Sequence, residues 1–221
     1  AYQKVELDAE QEQIEANDDV SFSGGNIELA NNDKRYLVIA ENQGLLDQFI
    51  SIEVFSANTI SVCQYSEFKK NSDTSYELNL SCRTHFEQLF DSLVNEKITD
   101  VIRLYANKKD ENTIAYRSQD NAVSTLNMTQ SLLQFTRESR ATQDEFIRPT
   151  LWLVTQGVHN VSLTPPVNLS NSTIWGMGRV IQTEHPELHC QLLDVSATVS
   201  EGWVVELSHH LQSNQVLSEN Q

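Results

Sequence analysis

About five times along this chain a short apolar run, of the kind that builds a buried strand, is followed by apolar residues at helical spacing. The runs are Arg35–Ala40, Thr59–Cys63, Asp100–Tyr105, Thr150–Thr155 behind Pro149, and Leu188–Asp194. Between them come Leu45, Leu46, Phe49 and Ile50, and then Phe86, Leu89, Phe90 and Leu93 on one helical face. Thr84 and Glu87 fit a capping box for that second helix. Ala122, Leu126, Met128, Leu132, Leu133 and Phe135 mark a long helix. Asn171 or Ser172 can cap a helix carrying Ile174, Trp175, Met177 and Ile181, which Pro186 ends, and Ser200 can cap one with Val204, Leu207 and Leu211 inward. Residues 65–81 read as irregular, with a short strand at Tyr76–Leu80. Such alternation predicts an α/β fold, a doubly wound and mainly parallel sheet with helices on both faces.

The expected domain runs over residues 34–213. Residues 1–33 read as an entry strand, at Tyr2–Ala9, and a polar linker around Gly24-Gly25, and residues 214–221 as a boundary segment. A length of 221 residues is ample for a buried core. Fifteen Lys and Arg stand against 31 Asp and Glu, a net charge of -16. That surface repels polyanions, so neither nucleic acid nor an anionic membrane is expected as a partner. No apolar stretch reaches the ~18 residues that span a bilayer, and the polar, acidic start is unlike a signal peptide. Cys63, Cys82 and Cys190 are odd in number and widely spaced, which predicts reduced thiols in a cytoplasmic protein. Asn168 and Asn171 open glycosylation sequons that read as chance matches in an Asn- and Ser-rich chain.

Parallel α/β sheets raise the question of a dinucleotide site, which needs glycines after the first strand so that the backbone can approach a pyrophosphate. The loop here is Ala40-Glu41-Asn42-Gln43-Gly44. It has one glycine, and Glu41 places negative charge where a phosphate would lie, so no cofactor-binding residue is expected. A reductase's proton-donating Tyr with Lys four residues on occurs once, at Tyr65 and Lys69, in a polar stretch after the second strand where it reads as a loop match. His185, His189 and Cys190 cluster in sequence, but Pro186 breaks the helix that would align them, so no metal site is expected. His209-His210 reads as an exposed pair, and Trp152, Trp175 and Trp203 as core anchors, with Trp175 beside Ile174 and Ile181. No catalytic residue is expected.

The segment Leu151-Trp152-Leu153-Val154-Thr155-Gln156-Gly157-Val158 resembles the Trp-bearing strand and Thr-x-Gly turn of polyketide synthase ketoreductases. A more specific match is Thr173-Ile174-Trp175-Gly176-Met177-Gly178-Arg179-Val180, continued by Glu184-His185-Pro186-Glu187-Leu188 and a strand closing on Leu193-Asp194. The start, Tyr2–Glu6, resembles the family's entry strand, and the likeness is weak at residues 10–33 and 64–82.

The resemblance implies the structural, non-catalytic subdomain of such a ketoreductase, a degenerate Rossmann-like fold of the short-chain dehydrogenase/reductase type. In that family a second half binds NADPH and reduces a β-ketoacyl thioester carried on an acyl carrier protein. The implied cofactor is therefore none in this chain and NADPH in the catalytic half. The implied partners are that half and neighbouring synthase domains, with an enoylreductase inserted between the halves as one arrangement. Trp175 and Arg179 stand on the helix where the active half has its Tyr, and Trp cannot donate that proton. A pseudo-ketoreductase spacer, or a free-standing nucleotide-dependent reductase, are the alternatives. The entry strand at Tyr2–Leu7 is expected to pair with a strand from beyond Gln221.

Overall fold

The computed structural model describes residues 34–106, 114–142, 146–159 and 168–195, together with positions 204, 205, 207, 208, 210 and 211. The chain divides into two units, Ala1–Ala30 and Asn31–Gln221, and every described residue belongs to the second. The expectations for residues 1–33 and 214–221, and for Ser200, Trp203 and His209, lie outside the described residues.

Among the described residues seven strands form one sheet. They are β1 (Tyr36–Ala40), β2 (Thr59–Gln64), β3 (Lys69–Ser72), β4 (Ser75–Leu78), β5 (Asp100–Leu104), β6 (Thr150–Gln156) and β7 (Gln191–Val195). Their order is β3-β4-β2-β1-β5-β6-β7. Every neighbouring pair is parallel except the β3–β4 hairpin. The helices are α1 (Gln43–Ile50), α2 (Glu53–Ser56), α3 (Arg83–Ser92), α4 (Ile114–Thr142) and α5 (Ser172–Glu184). This is the doubly wound α/β arrangement that the alternating pattern predicts.

The two-residue period of a strand sorts the core into two layers. Leu37 and Ile39 of β1 join Phe86, Leu89, Met128, Leu132, Ile174 and Ile181 beneath α3, α4 and α5. Tyr36, Val38 and Ala40 join Leu46, Phe49 and Phe55 of α1 and α2, with helical Val204, Leu207 and Leu211. Burial on both faces is why β1, β5 and β6 read as mostly apolar runs.

At the amino ends of the strands, Lys34 donates from Nζ to the Leu211 carbonyl at 2.9 Å and lies 3.8 Å from Asp100. Asp100 also accepts the buried Trp152 indole N–H at 2.9 Å. Trp152 is thus the core anchor expected, with its one polar atom satisfied.

Four local expectations differ from the structure. Strand β3 was not anticipated, because all four of its residues are polar and exposed and only backbone pairing with β4 defines it. The Thr84–Glu87 capping box does not form. Helix α3 begins at Arg83 behind Cys82, without a side-chain cap, and Glu87 pairs with Arg83 at 2.9 Å. Leu126 is exposed, while Ser124 and Thr125 face inward. The last strand begins at Gln191, because Pro186–Leu188 form a 3-10 turn and His189 is left-handed at φ 45°.

Candidate functional site

In this topology β1 continues to β2 on one side while β5 opens the other half of the sheet. The crevice at the carboxyl ends of β1 and β5 is therefore the topological switch point, where open α/β sheets bind ligands. The residues that fill it come from both strands. Arg103, on β5 opposite Ile39, is 1% exposed. Its Nη1 donates to the carbonyls of Leu104 at 2.9 Å and Ile39 at 3.4 Å, and its Nη2 to Ser124 Oγ at 3.5 Å. Nη2 also lies 3.7 Å from Glu41 Oε1, and the guanidinium stacks 4.6 Å from the Tyr105 ring centre. The next residue in the loop, Asn42, spends its side chain on the helix, its Oδ1 accepting the Leu45 N–H at 3.0 Å to cap α1. The loop after β1 thus sets a carboxylate and a helix cap beside a buried cation.

A string of polar groups continues from there beneath α4. The Tyr105 hydroxyl bonds to Thr125 Oγ1, which itself donates to the Asn121 carbonyl one turn earlier at 2.6 Å. Burial pushes the Tyr105 phenol up to about 12, against the lowering effect of Arg103. It is a fixed hydrogen-bond donor at neutral pH and not an acid. Asn121 donates to Asn171 Oδ1 at 2.8 Å, and Asn171 to the Ala106 carbonyl at 3.4 Å. Asn171 therefore sits at the N-cap position of α5 without capping it, because its side chain ties β5, α4 and α5 together.

A second polar cluster lies at the ends of β6 and β7. Asp194 Oδ1 accepts from the Thr155 hydroxyl at 2.8 Å and the Val158 N–H at 3.1 Å, and Oδ2 accepts the His159 N–H at 2.7 Å. Trp175 donates its indole N–H to Thr155 Oγ1 at 3.0 Å and meets the His159 ring edge-on, with centres 4.1 Å apart. The turn between them needs Gly157, whose φ of 66° is left-handed. This explains the Trp-strand, Thr-x-Gly and Leu-Asp signatures together: Asp194 is the receiver that folds the turn after β6. The expectation that Trp175 is a core anchor is corrected. It is half-buried, and the buried positions of α5 are Ile174, Gly178 and Ile181. Arg179, one turn on, is exposed.

In the second cluster the hydroxyl and carboxylate are engaged, while the His159 ring is exposed. Thr155 both accepts and donates, and both Asp194 oxygens are engaged. Tyr65 is exposed at the end of β2, and Lys69 lies on edge strand β3, 3.9 Å from Glu77. His185 pairs with Glu187 at 3.3 Å while His189 points to solvent and Cys190 is buried, so the three do not converge. Among the described residues no group of His, Cys, Asp or Glu could hold a metal, and no helix is long and apolar enough to cross a membrane. The cysteines are free thiols, and burial pushes Cys190 up to about 12. Arg103 and the Asn121–Asn171 link were not singled out from the sequence. The available signal was a charged residue inside the apolar run Val101-Ile102-Arg103-Leu104.

Comparison with known proteins gives three kinds of likeness. The family model described as "Beta-ketoacyl synthase-like, N-terminal" matches residues 34–207. The pikromycin polyketide synthase component PikAIII of Streptomyces venezuelae is 41% identical over 59 residues, 26% of this chain and 4% of the relative. Among solved structures, an adenylation, ketoreductase and pseudo-Asub multidomain structure of a keto acid-selecting NRPS module superposes with a TM-score of 0.60 at 22% identity. That match covers 76% of this chain and 14% of the other. A C2-type ketoreductase from a modular polyketide synthase gives 0.55 at 20% identity, covering 80% and 36%. The chain thus spans a small part of each relative, and the structural likenesses establish a ketoreductase-type, Rossmann-like fold.

Proposed function

The chain belongs to the beta-ketoacyl synthase-like, N-terminal family, and from that premise we propose that it is a component of a polyketide synthase module, acting as the structural half of its ketoreductase region. In this role it catalyses nothing itself. It braces a partner half that binds NADPH and reduces a β-ketoacyl thioester on an acyl carrier protein.

One observation carries the reading: a ketoreductase-type fold whose switch-point crevice is filled by its own Glu41, Asn42 and Arg103. Trp175 and Arg179 support it, since the indole N–H is already given to Thr155 and does not ionise in water.

The test is expression of residues 1–221 alone and with a catalytic ketoreductase half. Alone, the chain is expected to leave NADPH fluorescence and its own melting temperature unchanged at millimolar cofactor. With the partner, reduction of a β-ketoacyl thioester should appear, and omitting this chain should cost the partner activity and thermal stability. Saturable NADPH binding by the chain alone, or a partner indifferent to it, overturns the proposal.

A further inference from the structure

Arg103 carries a full charge in a side chain that is 1% exposed, and its hydrogen bonds do not account for it. Three of its contacts are to neutral oxygens, two of them long, and its Nε has no hydrogen-bond partner. Carbonyl dipoles solvate a guanidinium but do not neutralise it, and a buried cation without a counter-charge is strongly unfavourable. Among the described residues Glu41 is the one carboxylate within ion-pair distance. It approaches to 3.7 Å without a hydrogen bond, its Oε1 also lacks a partner, and its side chain is 16% exposed at the mouth of the crevice. The carboxylate behaves as a loosely seated occupant of a site whose donors are built into the strands.

We infer that the β1–β5 crevice is an anion site occupied by the chain's own Glu41 carboxylate, and that a small oxyanion of the phosphate class takes it when that carboxylate is removed. The planar guanidinium offers paired donors that suit phosphate as well as carboxylate. The Tyr105 ring backs its face and the Ile39 and Leu104 carbonyls hold its far edge, so the fork is fixed before any ligand arrives. The inference rests on the reading that this crevice holds no nucleotide in the native chain, but its test is separate, because it concerns variants and inorganic anions.

The experiment follows thermal unfolding of the chain with inorganic phosphate or pyrophosphate, at ionic strength fixed with sodium chloride. The native chain should not respond. Glu41→Ala should melt lower than the native chain and recover with phosphate, by roughly 3–5 °C at ten times the dissociation constant. Glu41→Ala/Arg103→Met should lose that response. Should Glu41→Ala fold only in the presence of phosphate, the inference is supported. Should it not fold at all, Glu41→Gln, which keeps the volume and loses the charge, replaces it. A folded Glu41 variant indifferent to both anions, an equal response in the double variant, or an equal response in the native chain each overturns the inference. NADPH titration of the native chain reports on the preceding proposal alone.

Discussion

At the β1–β5 crevice two opposite charges lie 3.7 Å apart with a polar atom on each left unpaired. At the ends of β6 and β7 three donors converge on one carboxylate, and the indole that reaches Thr155 closes the chain of bonds. Both places sit at the carboxyl edge of the same sheet, where open α/β sheets bind ligands. One is closed by charge and the other by geometry. Closure by charge depends on both partners and fails badly when one is lost. Closure by geometry spreads the work over several bonds, so each is worth less.

The largest effect should therefore come from unbalancing the ion pair. Glu41→Leu leaves Arg103 buried and uncompensated and should destabilise the chain by about 3–5 kcal/mol in urea unfolding, while Glu41→Leu/Arg103→Met recovers most of that loss. A double variant no better than the single one would show that the pair does not act as a unit. Next comes Thr155→Val, which removes the hydroxyl joining Trp175 to Asp194 and should cost about 1–3 kcal/mol. A cost equal to that of Glu41→Leu would erase the contrast between the two regions.

The two glycines of α5 sharpen the geometric side. A Cβ at Gly178 would stand 2.5 Å from Leu192 Cδ2, whereas one at Gly176 meets nothing within 4 Å. Gly178→Ala should lower stability by about 1 kcal/mol once the helix-forming gain of Ala is offset by the displaced leucine. Gly176→Ala should raise it by about 0.5–1 kcal/mol. Equal signs in the two melting curves would mean that α5 does not rest on β7 at Gly178.

The smallest effect is electrostatic. Glu187 is held below the ordinary 4.5 by its own backbone N–H and by His185. A depressed folded value gives stability that is present above pH 4.5 and lost as the pH falls through the folded midpoint. NMR titration should place that midpoint below 4.5, and His185→Ala should move it upward. The contribution is slight because Glu187 is well exposed.

What the sequence made legible follows from where the physics is local. Strands β1, β5 and β6 are buried on both faces, so their residues are mostly apolar, Arg103 apart, and announce themselves. Strand β3 owes everything to its neighbour and nothing to its side chains. Helix α4 hides its inner face because Asn121, Ser124, Thr125 and Thr129 are buried there, and a search for apolar periodicity chooses Leu126 instead. The carboxylate in the loop after β1 was readable at Glu41. The reason it matters was not, because the counter-charge stands 62 positions away on a strand that pairs with β1 only in the folded chain. Trp175 was misjudged because aromatic bulk at helical spacing reads as core, whereas its polar edge is what the fold uses.

The contact between Lys34 and the Leu211 carbonyl has a consequence for the chain as a whole. The residue that leads into the first strand and the helical residue near the end of the described chain are held at one place. A unit with its entry and exit side by side can be spliced into a longer polypeptide as a loop, or cut and rejoined elsewhere, without stretching what lies on either side. A circular permutant that joins these two points through a short flexible linker and opens the chain at the exposed Asp73–Thr74 turn should keep the sheet intact.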